Sequence, residues 1–197
     1  MPTDARVALA LGERDGGLSL MLADQGFMTV CSDLRGPTER AHELHHAFGR
    51  QEWITYEQVD ALAIPKPDAS FDVVVFKSMV GALGTKERQL AALHEMHRVL
   101  KPGGVLLFAE NLRGTWLHRW LRRRFVAWDH YWRYLDPVDD RDLFAGFERT
   151  ELHTTGLLAN LGRSELQRDL LARMDALVMS LVPVRWRTIL YGVAVKG

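Results

Sequence analysis

The stretch LALGERDGGLSLMLADQG, Leu9 to Gly26, sets an apolar run against a glycine-rich turn and then places apolar residues at helical spacing. A short run of Val, Ala and Leu ending in glycine is the pattern of a buried parallel strand, so the stretch reads as strand, tight turn, helix. Outward from it the same alternation continues. FMTVCSD gives a second strand ending at Asp33, and GPTERAHELHHAFG a helix opened by Pro37 and closed by Gly49. WITYEQVDA and FDVVVFKSMVGAL predict a third and a fourth strand. KERQLAALHEMHRVLKPGG predicts a helix halted by Pro102 and the glycine pair, and VLLFAEN a fifth strand. Strands alternating with helices imply an α/β fold with a mostly parallel sheet covered on both faces. Beyond Asn111 the rhythm breaks. FERTELHTTG and TILYGVAVKG read as two last strands around a helix near Ser164 to Val182, with no repeat or low-complexity tract.

The bulk properties narrow the function. At 197 residues and 47% apolar the chain suits one well-buried domain, expected over 1–197. Twenty-five basic and 25 acidic residues cancel, so no global field favours nucleic acid. One cysteine, Cys31, excludes an internal disulfide. The start MPTDARVALAL carries no signal-peptide pattern and no apolar run reaches the ~20 residues that span a bilayer, so a cytoplasmic location is expected.

In an open parallel sheet, ligands sit beyond the C-terminal strand ends where the strand order reverses. Those ends hold Gly12, Glu13, Gly16 and Gly17, then Asp33 with Leu34, Asp60 with Ala61, Lys77 with Ser78, and Glu110 with Asn111. An acid about 20 residues beyond a glycine turn is placed to accept hydrogen bonds from a ribose diol. With these residues the chain resembles the class I S-adenosylmethionine-dependent methyltransferases from Val7 to about Glu110, HRVLKPGGVLLFAE being a typical family passage. The resemblance implies a Rossmann-like seven-stranded sheet with helices on both faces and an antiparallel last strand. It implies S-adenosylmethionine as cofactor. The glycine turn then approaches its amino-acid part, Asp33 binds the ribose, and Asp60-Ala61 meets the adenine. At Arg14 the family usually has a small residue. The arginine either crowds the methionine end or points outward while Gly16 and Gly17 make the close approach, and the outward course is expected.

Leu112 to Asp140 is expected to close the site and receive the acceptor, since the chain enters its first strand without covering helices. From Asn111 to Leu135 it carries six arginines, four tryptophans and a single acid, Asp129. Leu117, Leu121, Phe125 and Trp128 form a helical stripe. This is either a lid packed on the domain or a basic, aromatic surface for an anionic or lipid-linked acceptor with peripheral membrane contact. Asn111, Arg122, Arg123, Arg124 and Trp132 are the candidate acceptor residues. His118 or His130 is the candidate base with Glu110 orienting the acceptor, because an imidazole titrates near neutrality. His42, His45 and His46, like His94 and His97, are expected on solvated helix faces, and no metal is expected. The expected reaction is methyl transfer to an oxygen or nitrogen of a small-molecule or glycan-like acceptor, of the kind met in bacterial polysaccharide or glycolipid assembly. A catalytically silent binding domain and a nicotinamide-dependent oxidoreductase are the alternatives, and a homo-oligomer is compatible with either.

Overall fold

The computed structural model describes residues 6–158, 162 and 164–197; the first five residues of the opening MPTDARVALAL segment lie outside them. Seven strands form one sheet: β1 (Val7–Leu11), β2 (Met28–Asp33), β3 (Ile54–Gln58), β4 (Phe71–Lys77), β5 (Leu100–Asn111), β6 (Arg149–Thr155) and β7 (Ile189–Val195). Their spatial order is β3-β2-β1-β4-β5-β7-β6. The first five pair in parallel, and β7 runs antiparallel between β5 and β6. The order reverses between β1 and β4, which are hydrogen-bonded neighbours from Ala8↔Val73 to Leu11↔Phe76. A crevice for a ligand therefore opens beyond Leu11 and Phe76.

Burial explains which strands are central. All of β1 after Val7 is buried, as are Val73 to Phe76 of β4, because helices cover both faces there. The edge strand β6 alternates exposed and half-buried positions. Helices α1 (Gly17–Asp24), α2 (Glu39–Ala47) and α3 (Lys86–Val99) pack on this sheet. The main core joins Leu9 and Leu11 of β1, Val74 and Phe76 of β4, and Leu93 and Met96 of α3. A second cluster on the opposite face joins Ala8, Ala10, Leu22 and Phe27.

Helix α3 stops at Val99, short of the predicted stop at Pro102 and the glycine pair. Leu100 already pairs with Phe71, and the LysProGlyGly run is an irregularity inside β5, where the register shifts between Phe71 and Val73. The third and fourth strands likewise end earlier than their apolar patterns suggest, at Gln58 and Lys77. After β4 the chain turns through Ser78, at φ 50, into a short 3-10 turn, Val80–Leu83. Past β5 come α4 (Trp116–Phe125) and, after β6, α5 (Glu165–Val178), which ends before the expected Val182. Both follow strand ends on the edge of the sheet where β1 and β4 terminate.

Candidate active site

The turn between β1 and α1 lines a cleft of about 360 Å³ from Gly12 to Leu18, with Lys77 as its other wall. That size falls within the roughly 300–1,000 Å³ of small-molecule sites. Gly12 sits at φ 65, where a Cβ would also collide with the Met79 side chain. Gly16, at φ 80, approaches His45 so closely that a Cβ would lie 2.6 Å from the imidazole Nε2. Both positions demand glycine twice over, by backbone conformation and by contact.

Glu13 is buried, and its carboxylate accepts hydrogen bonds from the Leu18 and Ser19 amides. It caps α1 from within, so its carboxylate is committed to the helix start, while the residue itself borders the cleft. Burial pushes the Glu13 carboxyl above the usual range, partly offset by the amides it receives. The Arg14 side chain is exposed at the mouth of the cleft, while its carbonyl accepts from the amide and the hydroxyl of Thr38, both at 2.9 Å.

Asp33, at the end of β2, accepts the Arg35 amide on Oδ1 at 3.1 Å, and Asp60, beyond β3, accepts the Leu62 amide on Oδ1 at 2.9 Å. In each the second carboxylate oxygen has no partner among the described residues, and both groups retain capacity for a diol or an amine. Leu34 is exposed beside Asp33, and Ala61 is buried beside Asp60. Lys77 is exposed and makes no ion pair among the described residues. Ser78 Oγ accepts from Asn111 Nδ2 at 3.0 Å, which joins the ends of β4 and β5. These residues fit a cofactor with a carboxylate, a ribose and an aromatic base: glycines for close approach, free carboxylate oxygens beside them, and one ammonium.

Three expected roles change. Glu110 is buried at 1% exposure and accepts hydrogen bonds from the amides of Met79, Gly81 and Asn111, at 3.0, 3.1 and 2.7 Å. Oε2 holds the turn after β4 and Oε1 the amide of Asn111 on the same strand, so Glu110 is committed to backbone groups and not turned to an acceptor. Burial raises its pKa against those three donors. His118 is buried too. Its Nδ1 receives the Thr115 amide at 3.3 Å in a capping box, and its Nε2 donates to the Leu157 carbonyl at 2.7 Å. An imidazole with both nitrogens engaged cannot take a substrate proton. Arg122 turns inward, donating to the carbonyls of Leu112 and Arg113 with its guanidinium 4.1 Å over the Tyr134 ring.

His130 is exposed, with Nδ1 2.9 Å from the Ala127 carbonyl, which leaves Nε2 open. It lines a second cleft, of about 560 Å³, with Arg123, Arg124 and Phe125. The two clefts share no lining residue. Trp132 packs on Gly81, whose carbonyl accepts from the Arg133 amide at 2.9 Å, and this docks the segment on the turn after β4. Arg133 is no surface charge either, since it pairs with Asp140 at 2.7 Å and with the buried Gln89.

His45 is the residue that the sequence reading misplaced. Expected on a solvated face, it is fully buried. Its Nε2 lies 2.7 Å from the Gly16 carbonyl and 3.1 Å from Ser19 Oγ, and its Nδ1 lies 2.8 Å from the Tyr56 hydroxyl. It braces the glycine turn against β3. The one sequence signal was its place beside Ala41 on the inward side of a helix, one turn on. His42, stacked on Tyr56 at 3.7 Å, completes that packing.

A glycine turn ending β1, acids ending β2 and β3, and an antiparallel β7 beside β5 define the class I methyltransferase architecture. The profile described as Methyltransferase domain matches residues 9–108, and the chain belongs to that family of S-adenosylmethionine-dependent enzymes. Among curated proteins it is similar to the ubiquinone/menaquinone biosynthesis C-methyltransferase UbiE of Enterobacter sp., 31% identical over 99 residues, covering 50% of this chain and 38% of that one. UbiE of Pseudoalteromonas translucida is 40% identical over 65 residues, covering 33% and 25%. These matches thus span well under half of those relatives. Among solved structures, phosphoethanolamine N-methyltransferase 2 of Haemonchus contortus, in complex with phosphomonomethylethanolamine and S-adenosylhomocysteine, superposes with a TM-score of 0.69 at 18% identity, covering 98% of this chain and 49% of that one. The cyclase SpnF superposes at 0.66 and 19% identity, covering 98% and 75%. At such identities the likeness is one of fold. No helix among the described residues is long and apolar enough to cross a membrane.

Proposed function

We propose that this chain is one methyltransferase domain that binds S-adenosylmethionine across the ends of β1 to β4 and methylates an oxygen or nitrogen of a small-molecule or glycan-like acceptor, with 112–140 forming the acceptor side. The cleft from Gly12 to Lys77, beside carboxylates with unused oxygens, is the observation that carries this reading. Asp33 accepts the ribose hydroxyls, Leu34, Asp60 and Ala61 border the adenine, and Lys77 pairs with the methionine carboxylate. The bound cofactor supplies an electrophilic methyl group on a sulfonium. What remains to the protein is alignment of the acceptor and, for a hydroxyl, removal of its proton. Ser78 and Asn111 offer hydrogen bonds at the strand ends, and the open Nε2 of His130 is the remaining imidazole for the proton. Arg123 and Arg124 flank that histidine.

Calorimetry tests the reading. S-adenosylhomocysteine binds in the micromolar range and reduced nicotinamide dinucleotide does not; the reverse result removes it. A carbon acceptor is the second reading, favoured by the C-methyltransferase relatives. Transfer of a ¹³C-methyl group to a panel of phenols, amines, amino sugars and quinols, read by NMR, separates the two.

A further inference from the structure

Helices α4 and α5 are attached to the domain the wrong way round. An amphipathic helix on a globular domain turns its apolar stripe to the core. In α4 the only buried residue is His118, and the face it shares with Arg122 is the one that touches the domain. The opposite face carries Trp116 and Trp120, with Trp116 71% exposed. Among the described side chains of α5 the buried one is Asp175, whose carboxylate accepts the amides of Leu157 and Leu158 at 2.9 and 2.8 Å. Leu166, Leu170 and Leu177, at helical spacing on its far side, are exposed, Leu177 by 82%. The inner faces of both helices meet on Leu157, through the His118 bond to its carbonyl and the Asp175 bond to its amide. Both helices are thus anchored through one residue, at the end of the sheet that holds the glycine turn, with their apolar stripes turned outward.

We infer that these outward stripes form a docking surface for a bilayer carrying anionic lipids. Leaving two aromatic and aliphatic stripes in water costs free energy in proportion to their area, and an interfacial location removes that cost. Charge selects the occupant. Arg119, Arg123 and Arg124 are exposed along α4, which contains no acidic residue. Tryptophan and arginine together suit the headgroup layer, where the ring is half apolar and the guanidinium meets phosphate. Arg123 and Arg124 also line the cleft of about 560 Å³ at the end of α4, wide enough to admit a headgroup. The exposed acids of α5, Glu165 and Asp169, lie off its leucine stripe at 100° per residue. A second copy paired through α4 about a two-fold axis would set arginine against arginine with no acid on that helix to answer them.

This surface operates whether or not the domain transfers a methyl group, so its test needs no cofactor. The full chain is floated with vesicles of phosphatidylcholine alone and of phosphatidylcholine mixed with phosphatidylglycerol. It binds the mixed vesicles, is released by high salt, and ignores the neutral ones. Arg119→Glu with Arg123→Glu and Arg124→Glu lowers partitioning by about tenfold or more. Trp116→Ser with Trp120→Ser abolishes it while the thermal unfolding midpoint is unchanged, because the removed side chains are exposed. Equal binding of wild type and both variants overturns the inference, as does failure of the wild type to bind either vesicle. So does a dimer in light scattering that Trp116→Ser with Trp120→Ser converts to monomer, which assigns the face to a second copy.

Discussion

Helices α3 and α4 are both amphipathic, and they face opposite ways. α3 buries Ala92, Leu93, Met96 and Val99 against the sheet and exposes charge. α4 buries a histidine, tucks in an arginine and exposes tryptophans. Hydrophobic periodicity reports that a stripe exists but not what lies opposite it; α3 is bound by the area it removes from water, α4 by a few hydrogen bonds with its apolar area left over. The first kind of attachment is strong and undirected, the second weak and specific.

The largest expected effect tests that contrast directly. Leu93→Ala removes a fully buried side chain and costs about 2–5 kcal/mol in denaturant unfolding. Trp120→Ala removes a larger but exposed side chain and stays within about 0.5 kcal/mol. Comparable losses would mean that Trp120 packs on something in the free protein, and the contrast between the two helices would collapse. The next effect locates the cofactor at the ends of β1 and β2 and not around α4. Asp33→Ala weakens S-adenosylhomocysteine by about 1.5–3 kcal/mol, the range for charge-assisted hydrogen bonds, while Arg119→Ala leaves that affinity alone. An unchanged dissociation constant in folded Asp33→Ala takes this carboxylate out of the site.

His118 gives a smaller, pH-dependent effect on the α4 attachment itself. Burial holds its pKa below the ordinary histidine value, and Arg122 nearby adds to that against the Leu157 carbonyl. The unfolded chain therefore binds the proton more readily than the folded one. Its contribution is fully present above the unfolded pKa of about 6.5 and is lost as pH falls below it, with a slope that cannot exceed about 1.4 kcal/mol per pH unit. His118→Gln removes that component of the acid sensitivity. Identical pH profiles for the two proteins would show that α4 does not rest on a neutral imidazole.

The half of the molecule up to Asn111 was legible because its signals are local: apolar runs punctuated by Gly12, Gly26 and Gly49, and acids placed after strands. The antiparallel β7 came from the family resemblance, which the sheet order bears out. The partners of Glu13, Glu110 and His118 were not legible. Each is a polar group at a strand end or helix start that backbone groups claim, and competition between a ligand and an amide is decided by geometry. Thr115 and His118, spaced as N-cap and third helical residue, were the one advance hint. His45 was hidden because its partners, Gly16 and Tyr56, lie on two other elements. The inversion of α4 was hidden for a different reason: Trp, Leu and Phe at helical spacing look identical whether they meet a core or a surface.

The smallest expected effect concerns Arg14, where the sequence departs from the family pattern. A glycine is required at a turn position only if the backbone has positive φ or something approaches too closely for a Cβ. Gly12 and Gly16 meet those conditions. Arg14 does not have positive φ, its carbonyl is fixed by Thr38, and its side chain is exposed. The turn is thus built to tolerate a side chain at this position, and substitution should free no backbone strain. Arg14→Gly is expected to change S-adenosylhomocysteine affinity by no more than a few-fold in calorimetry. It should lower stability by about 0.4–1 kcal/mol, because glycine enlarges the unfolded ensemble. A gain of tenfold or more would show that the guanidinium lies across the methionine end of the cleft, so that the native turn is held partly shut by its own arginine. The same substitution then separates two kinds of domain. If turnover with a true acceptor rises together with affinity, the arginine is a brake on an enzyme. If affinity rises and no acceptor in the panel is methylated, the chain keeps the fold for binding alone.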